Sequence, residues 1–293
     1  MKKRIAILGC ENSHANNFLE YINSVPEYVE NIEIVGVYSN EPEAAKALSD
    51  KYGVKVLDDY RDAVGLIDGL IITARHGALH YEYAKPYIES GVPMFIDKPI
   101  TVDEGEAVEF MRALKGAGVR ITGGSSLKHD KTVRSLKKER VEGLGGRTLG
   151  GVVRAPIDIA SKYGGFYFYA QHLVESVLEI FGRYPLAVSA SHNGEQITVT
   201  FRYDGFNAIG CFVERNYVYY ACRFSEKTTV GGDLVSTDED NWFKLEFDEF
   251  YDVLVGGEQP VSYDDFISPV FVMCAIERAL ASGKEEIVHK YEV

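Results

Sequence analysis

The sequence of 293 residues lacks several features that mark whole classes of protein. Its four cysteines are Cys10, Cys211, Cys222 and Cys274. They have neither the close pairing of a disulfide framework nor the spacing of metal ligands, which favours reduced thiols in the core. No stretch approaches the roughly 20 apolar residues of a membrane span, and the basic start leads into an apolar strand rather than a signal peptide. These absences predict a cytoplasmic protein with no metal site and no membrane partner.

Basic residues are outnumbered. The chain has 31 lysines and arginines against 44 aspartates and glutamates, which gives a formal net charge of −13. Nucleic acids bind mainly clustered basic side chains, so this balance argues against a nucleic-acid partner. The one basic cluster, residues 128–140, is typical of a solvated helix face. The length is enough for about two domains with buried cores.

The first 123 residues alternate short apolar strands with helical patterns. Strands are predicted at residues 4–8, 32–37, 55–57, 69–73, 94–96 and 119–122. Helical patterns are predicted at residues 14–24, 43–52, 63–66, 79–90 and 104–115. This alternation predicts an α/β fold, in which residues 1–123 form a Rossmann-like, doubly wound parallel sheet.

The pattern changes after Gly123-Gly124. Residues 196–203, 206–214 and 217–224 are β-rich and are separated by Asp-Gly and Arg-Asn turns, which predicts antiparallel hairpins. Helices are predicted at residues 171–181 and 268–282. Residues 124–293 are therefore predicted to form an α+β domain with a large, mainly antiparallel sheet. Its many aromatic side chains favour oligomerisation through the sheet.

The tripeptide Asp97-Lys98-Pro99 directly follows an apolar strand. Pro99 restricts the residue before it to extended backbone, so Lys98 is presented from a stiff turn. Open α/β sheets bind ligands at the carboxyl ends of their strands. A lysine between a strand and a capped helix is also common without any chemical role, and this interpretation stays open. Lys98 is the first candidate for a catalytic side chain.

The tripeptide resembles the Glu/Asp-Lys-Pro signature of the Gfo/Idh/MocA oxidoreductase family, which includes glucose-fructose oxidoreductase and inositol dehydrogenase. The resemblance extends over nearly the whole chain, most strongly through residue 124. It implies an NAD or NADP cofactor bound by the N-terminal domain, with Lys98 between the nicotinamide and the substrate. It also implies that residues 124–293 bind the substrate and that the protein is a homo-oligomer that pairs through the C-terminal sheet.

The segment that begins at Gly9 stands where the family has a glycine-rich phosphate loop. In the pattern G-x-G-x-x-G all three positions hold glycine, whereas here Glu11 and His14 fill the second and third. Asn12, Ser13 and His14 offer hydrogen-bond donors to a phosphate at a helix N-terminus. In the alternative interpretation, Asn12 or Ser13 only caps the helix.

The segment after the second predicted strand departs from the NAD-binding pattern as well. An NAD-preferring enzyme places an acidic residue there for the ribose hydroxyls. This chain has Ser39 and Asn40, which tolerate a 2′-phosphate although no arginine stands beside them. NAD and NADP both stay open, and so does the loss of dinucleotide binding.

The segment after the strand at residues 69–73 corresponds by place to the family's Thr-Pro-Asn and the histidine that follows it. Arg75 and His76 stand within the replaced tripeptide, and His80 keeps the histidine position. The resemblance implies that these residues, with Thr73, lie near the nicotinamide. In the alternative interpretation, His80 is a capping or packing residue.

A glycine pair followed by a helix resembles the family's Gly-Gly…Asp-x-x-x-His-x-x-Asp segment. His172 takes the histidine position, and its unperturbed pKa of ~6.5 suits proton transfer. Glu175, one turn later, is expected to orient the imidazole. Phe168 replaces the first acid and cannot carry a proton. The alternative proton carriers are Tyr163, Tyr167 and Tyr169. In a second interpretation, His172 and Glu175 form only a structural pair.

The resemblance implies an NAD(P)-dependent oxidoreductase that acts on a hydroxyl-bearing carbon of a sugar, polyol or related small molecule. The catalytic candidates are Lys98 and His172. The cofactor-binding candidates are Gly9, Asn12, Ser13, His14, Ser39, Asn40, Thr73, Arg75, His76, His80, Asp97 and Lys98. Two alternatives stay open: a ligand-binding or regulatory protein whose catalysis has lapsed, and an enzyme that uses the cofactor for non-redox chemistry.

Overall fold

A computed structural model describes all 293 residues, and its N-terminal half is built on a parallel sheet in the order β2-β1-β3-β4-β5. The strands are β1 (Lys3–Leu8), β2 (Ile32–Tyr38), β3 (Gly69–Ile72), β4 (Met94–Asp97) and β5 (Ile121–Gly124). Every residue of β3, β4 and β5 is buried, as expected of parallel strands covered on both faces. The order confirms the predicted doubly wound sheet and reverses between β1 and β3, where such folds bind ligands.

The helices of this half are α1 (Ser13–Ser24), α2 (Pro26–Asn31), α3 (Pro42–Tyr52), α4 (Ala78–Ala84) and α5 (Glu104–Gly116). The single helix predicted at residues 79–90 is wrong: α4 ends at Ala84, and a 3₁₀ helix covers Lys85–Ser90. Pro86 explains the change, because proline has no N–H to continue an α-helix. The strand predicted at residues 55–57 is also wrong, since only an isolated bridge joins Val37 and Val56.

The C-terminal half contains a seven-stranded sheet in the order β11-β10-β6-β9-β8-β7-β12. Its strands are β6 (Thr148–Ile157), β7 (Ala187–Asn193), β8 (Gln196–Arg202), β9 (Asn207–Glu214), β10 (Tyr220–Ser225), β11 (Thr229–Asp233) and β12 (Glu286–Ile287). All neighbours are antiparallel except β6 and β9. This confirms the predicted mainly antiparallel sheet.

One predicted hairpin is confirmed and the other is wrong. Strands β8 and β9 pair antiparallel across the Asp-Gly turn. Strands β9 and β10 do not pair, because β6 lies between them. Gly151 permits this close passage: a Cβ there would lie 2.2 Å from the carbonyl oxygen of Cys222.

Helices α6 (Lys131–Val141), α7 (Tyr167–Phe181) and α9 (Tyr263–Ser282) belong to the C-terminal half. Helix α7 packs on β6 and β9, and α9 packs on β7, so together they cover one face of the sheet. Helix α7 is buried on nearly all sides and carries His172 toward the N-terminal half. None of the helices is both long and apolar enough to cross a lipid bilayer.

Helix α8 (Trp242–Leu254) was not expected from the sequence. Although it comes late in the chain, it packs on α1 and β5 of the N-terminal half. Its Phe247 and Phe250 share one apolar core with Phe18 and Phe95. The C-terminal half thus supplies a helix that covers the N-terminal sheet, and the domain division after residue 123 stays a prediction.

Candidate active site

A cavity of about 180 Å³ lies at the carboxyl end of the parallel sheet, between the two halves. The predicted residues that line it are Asn12, Ser13, His14, Arg75, Lys98 and His172. They come from the loop after β1, the loop after β3, the end of β4 and helix α7. The fold therefore brings both catalytic candidates to one cavity.

Lys98 follows β4 directly and is only 4% exposed. Its backbone N–H donates to Oδ1 of Asp97 (2.6 Å), and the side-chain amide of Asn12 donates to Oδ2 of the same carboxylate (2.7 Å). Burial lowers the pKa of Lys98, and the nearby carboxylates of Asp97 and Glu246 oppose this shift. The ammonium lies 4.8 Å from the ring centroid of Phe168. The Asp97 carboxylate thus fixes the backbone at Lys98, and the ring of Phe168 contacts the charged end of the Lys98 side chain.

His172 faces the same cavity from α7, with Nδ1 2.8 Å from the hydroxyl oxygen of Ser125. The expectation that Glu175 orients this imidazole is wrong. The Glu175 carboxylate instead accepts from the backbone N–H of Ser125 (2.8 Å) and from the amide of Gln171 (2.9 Å). Burial, with smaller effects of Lys98 and His14, places the pKa of His172 well below its usual value. The imidazole is therefore held in its neutral form.

The tyrosines proposed to replace the missing acid do not share one position. Only Tyr169 lines the cavity. The hydroxyl of Tyr163 donates to Glu41 (2.9 Å), and that of Tyr167 donates to Glu277 (2.8 Å). Burial raises the pKa of Tyr169 to about 12.

Glu11, at the second glycine position, connects three strand ends. Its carboxylate accepts from the hydroxyl of Ser39 after β2 (2.6 Å) and from the backbone N–H of Arg75 after β3 (2.9 Å). Gly9 is required by close approach, because a Cβ there would lie 2.3 Å from the backbone nitrogen of Ala74. Close packing therefore requires glycine at the first position of the loop. At the second position, the Glu11 side chain fixes the loop through its two hydrogen bonds.

A second cavity, of about 420 Å³, has Glu11 among its lining residues. Asn40 and His76 line it, as do Glu41 and Tyr163. The loop after β6 closes over it, since the hydroxyl of Tyr163 donates to Glu41 and accepts from the guanidinium of Arg75 (3.3 Å). Seven of the predicted cofactor residues are thus divided between two cavities, the first lined by Arg75 and the second by Glu11.

Five predicted cofactor residues line neither cavity: Gly9, Ser39 and Asp97, whose contacts are given above, and Thr73 and His80. The hydroxyl of Thr73 donates to the backbone oxygen of Gly9 (3.1 Å). The ring nitrogens of His80 lie 3.2 Å and 2.8 Å from the backbone oxygens of Ile100 and Ala74. Both side chains are completely buried, and both connect loops at the strand ends.

His14, at the third glycine position, lies on α1 beside two acids. Its Nδ1 is 3.3 Å from Oδ1 of Asp97 and 3.4 Å from Oε2 of Glu246 on α8. Burial, with a smaller effect of Lys98, lowers the pKa of His14 to about 3, so the imidazole is neutral. Sequence reasoning missed Glu246 and also Ser125. Neither residue belongs to a sequence motif. Their roles follow only from contacts with His14 and His172, which are distant along the chain.

Comparison with known proteins finds a family match in the N-terminal half of the chain. Residues 3–125 match the family model GFO_IDH_MocA, described as an oxidoreductase family with an NAD-binding Rossmann fold. Over these residues the chain is similar to the Gfo/Idh/MocA family. The resemblance inferred from Asp97-Lys98-Pro99 is confirmed.

One curated relative and two solved structures illustrate the similarity. An uncharacterized oxidoreductase of Escherichia coli, YhhX, is 25% identical over 124 residues, which cover 39% of this chain and 35% of the relative. The match thus spans about a third of that relative's length. A myo-inositol dehydrogenase from Corynebacterium glutamicum has a TM-score of 0.83 at 16% identity, covering 99% of this chain and 100% of that one.

The WlbA dehydrogenase from Chromobacterium violaceum, solved with NADH and UDP-GlcNAcA, has a TM-score of 0.79 at 17% identity. The superposition covers 99% of this chain and 97% of that one. At these identities the two structures establish a shared fold over the whole chain, including the C-terminal sheet.

Proposed function

We propose that this protein is an NAD(P)-dependent oxidoreductase that moves a hydride between nicotinamide and a hydroxyl-bearing carbon of a sugar, polyol or related small molecule. The observation that carries the proposal is the convergence of Lys98 and His172 on one cavity at the carboxyl end of a family Rossmann sheet. A buried lysine and a neutral histidine are suited to polarise an oxygen and to transfer its proton.

The residues at the strand ends fit the two ends of a dinucleotide. The cavity beside Asn40 and His76 suits the adenosine half, and the cavity beside Lys98 suits the nicotinamide and the substrate. Between them lies the N-terminus of α1, an end that favours a phosphate, although the Asn12 side chain already caps it by accepting from the backbone N–H of His14 (3.3 Å). Glu11 lies in this middle region and brings negative charge to it. The fit is therefore good at the ends and weakened at the centre.

In the proposed reaction the bound cofactor supplies the hydride chemistry. The Lys98 ammonium donates to the substrate oxygen and stabilises negative charge that develops there. His172 takes the hydroxyl proton during oxidation and returns it during reduction. Ser125 holds the imidazole through Nδ1.

The test is a screen of sugars and polyols with NAD⁺ and NADP⁺, following the absorbance of the reduced nicotinamide. Turnover is expected for the natural protein and a loss of at least about 100-fold for Lys98→Met, since positioned acid–base groups contribute that much. Lys46→Met, at an exposed lysine that pairs with Asp50, is the matched control. Near-normal turnover of Lys98→Met would remove the proposal. Conversion of a substrate without net NAD(P)H would indicate non-redox, cofactor-assisted chemistry instead.

A second candidate function is ligand binding or regulation without catalysis, and Glu11 favours it. Its two hydrogen bonds use the Ser39 hydroxyl and the Arg75 amide, both of which lie where a dinucleotide would find donors. In this case a small polar molecule occupies the cavity beside Lys98 and no form of the dinucleotide binds.

We also propose that the protein is a homo-oligomer that pairs through the C-terminal sheet. The face opposite α7 and α9 has no helix on it, and Tyr220 and Phe224 on that face are 36% and 37% exposed. An exposed apolar face of this kind is typical of an interface. A monomeric mass at micromolar concentration would contradict it. The cytoplasmic location and the lack of a nucleic-acid partner stay predictions from composition.

A further inference from the structure

Three residues from separate elements meet beside the cavity. His14 on α1, Asp97 at the end of β4 and Glu246 on α8 each offer an atom within 4.8 Å of the others. Their side chains are buried, with 3%, 0% and 1% of the residue surface exposed. No lysine ammonium or arginine guanidinium lies within hydrogen-bonding distance of the three side chains.

The cluster leaves strong ligand atoms unsatisfied. Both carboxylate oxygens of Glu246 and Nδ1 of His14 are buried without a hydrogen-bond partner. The contacts of Nδ1 with the two acids, at 3.3 Å and 3.4 Å, lack the alignment of hydrogen bonds. Buried polar groups are nearly always paired, and an unpaired carboxylate is especially costly. A single proton within the cluster can form a hydrogen bond between only two of these atoms, so at least one of them stays without a partner.

We propose that His14, Asp97 and Glu246 bind one divalent transition-metal ion, Zn²⁺ or Mn²⁺. One ion bonds to all three residues at once, and its two positive charges balance the two carboxylates. One imidazole nitrogen with two carboxylates is a donor set that suits these ions, whereas a soft ion would need thiolates.

The surroundings of the cluster are those of a built site. The amide of Asn12 donates to Oδ2 of Asp97 (2.7 Å), so an outer partner orients this ligand. The ring of His14 packs between those of Phe18 and Phe243, with centroid distances of 5.9 Å and 5.0 Å. Three protein ligands leave at least one coordination position for water or substrate. His14 itself lines the cavity, so this position adjoins Lys98.

The proposal is tested on the full chain without any nicotinamide cofactor, so its outcome is independent of the proposed function. The protein is stripped with a chelator, dialysed and titrated with Zn²⁺ or Mn²⁺ by calorimetry. One equivalent is expected to bind in the micromolar range or tighter. Glu246→Gln, which keeps the side-chain shape, is expected to weaken binding by at least about 10-fold, as even outer-shell losses do. Asp248→Asn is the matched control, because Asp248 is on the same helix and pairs with Lys244.

Thermal unfolding supplies the second readout. Metal at one fixed concentration is expected to raise the melting temperature of the natural protein and of Asp248→Asn by the same amount, and to raise that of Glu246→Gln less. If Glu246→Gln fails to fold, His14→Asn takes its place in both measurements. Absence of stoichiometric binding of both ions, or equal affinity in the natural protein and the folded ligand variant, would overturn the proposal.

Discussion

The ammonium of Lys98 lies 4.8 Å from the ring centroid of Phe168. Phe168 stands at the helix position for which the resemblance implies a carboxylic acid. The aromatic ring cannot carry a proton, but its face attracts a cation. The same ammonium is 5.7 Å from the ring of Tyr169. Two consecutive aromatic residues of α7 therefore hold the lysine where the family's helix places an acid.

Replacing this ring is expected to disturb the lysine without unfolding the protein. Phe168→Leu keeps an apolar side chain but removes a cation–π contact of about 1 kcal/mol, which corresponds to about a fivefold lower kcat. Phe168→Tyr keeps the aromatic face and is expected to stay near the natural rate. Steady-state kinetics of both variants makes the comparison, and equal rates would show that the ring does not position Lys98.

Ser125 is expected to act as a positioning residue for His172. Ser125→Ala removes the 2.8 Å contact with Nδ1 and leaves the imidazole free to rotate. We expect kcat to fall about tenfold, which is 1.4 kcal/mol of orientation, with little change in KM. Ser125→Thr retains the hydroxyl and is expected to restore most of the rate. A fall in stability with no loss of rate per folded molecule would contradict the positioning role.

Glu11 is expected to oppose dinucleotide binding. Glu11→Gln removes one negative charge from the loop, and a phosphate about 4 Å away would gain roughly 1 kcal/mol, or fivefold in affinity. Titration of both proteins with NADH at low and moderate salt measures the difference. Identical dissociation constants would show that the Glu11 carboxylate does not face the phosphates.

His80 is expected to make the stability depend on pH. Burial is the main cause that lowers its pKa from 6.5 to about 4, so the unfolded chain takes up the proton first as the pH falls. The neutral form of His80 contributes its full stabilisation above pH 6.5. As the pH falls from 6.5 to 4, the free energy of unfolding decreases by up to about 3 kcal/mol, and below pH 4 this decrease stops. His80→Gln is expected to flatten this slope in denaturant unfolding at several pH values. An unchanged slope would show that other groups cause it.

The strand pattern made much of the N-terminal half predictable. Short apolar runs and glycine breaks located every strand of the parallel sheet, because buried parallel strands need continuous apolar sequence. Lys98 could be found because its strand and Pro99 fix its place locally. His172 depended on a resemblance, and its actual partner Ser125 lies 47 residues away along the chain.

The missed features depend on contacts between distant segments. Helix α8 is rich in aromatic residues, which are also common in strands, so its sequence does not distinguish the two. Its apolar face is buried only through contacts with β5 and α1, which are distant along the chain. Glu246 therefore had no visible partner in the sequence. The wrong hairpin between β9 and β10 has the same origin, since β6 enters between them from elsewhere in the chain.

The most direct test of the proposed function is the titration of the purified natural protein with NADH and NADPH, followed by nicotinamide fluorescence. We expect saturable binding of at least one form in the micromolar range and competition by the oxidised cofactor. Absence of binding by every form up to millimolar concentration would contradict the oxidoreductase and leave a ligand-binding protein on this fold.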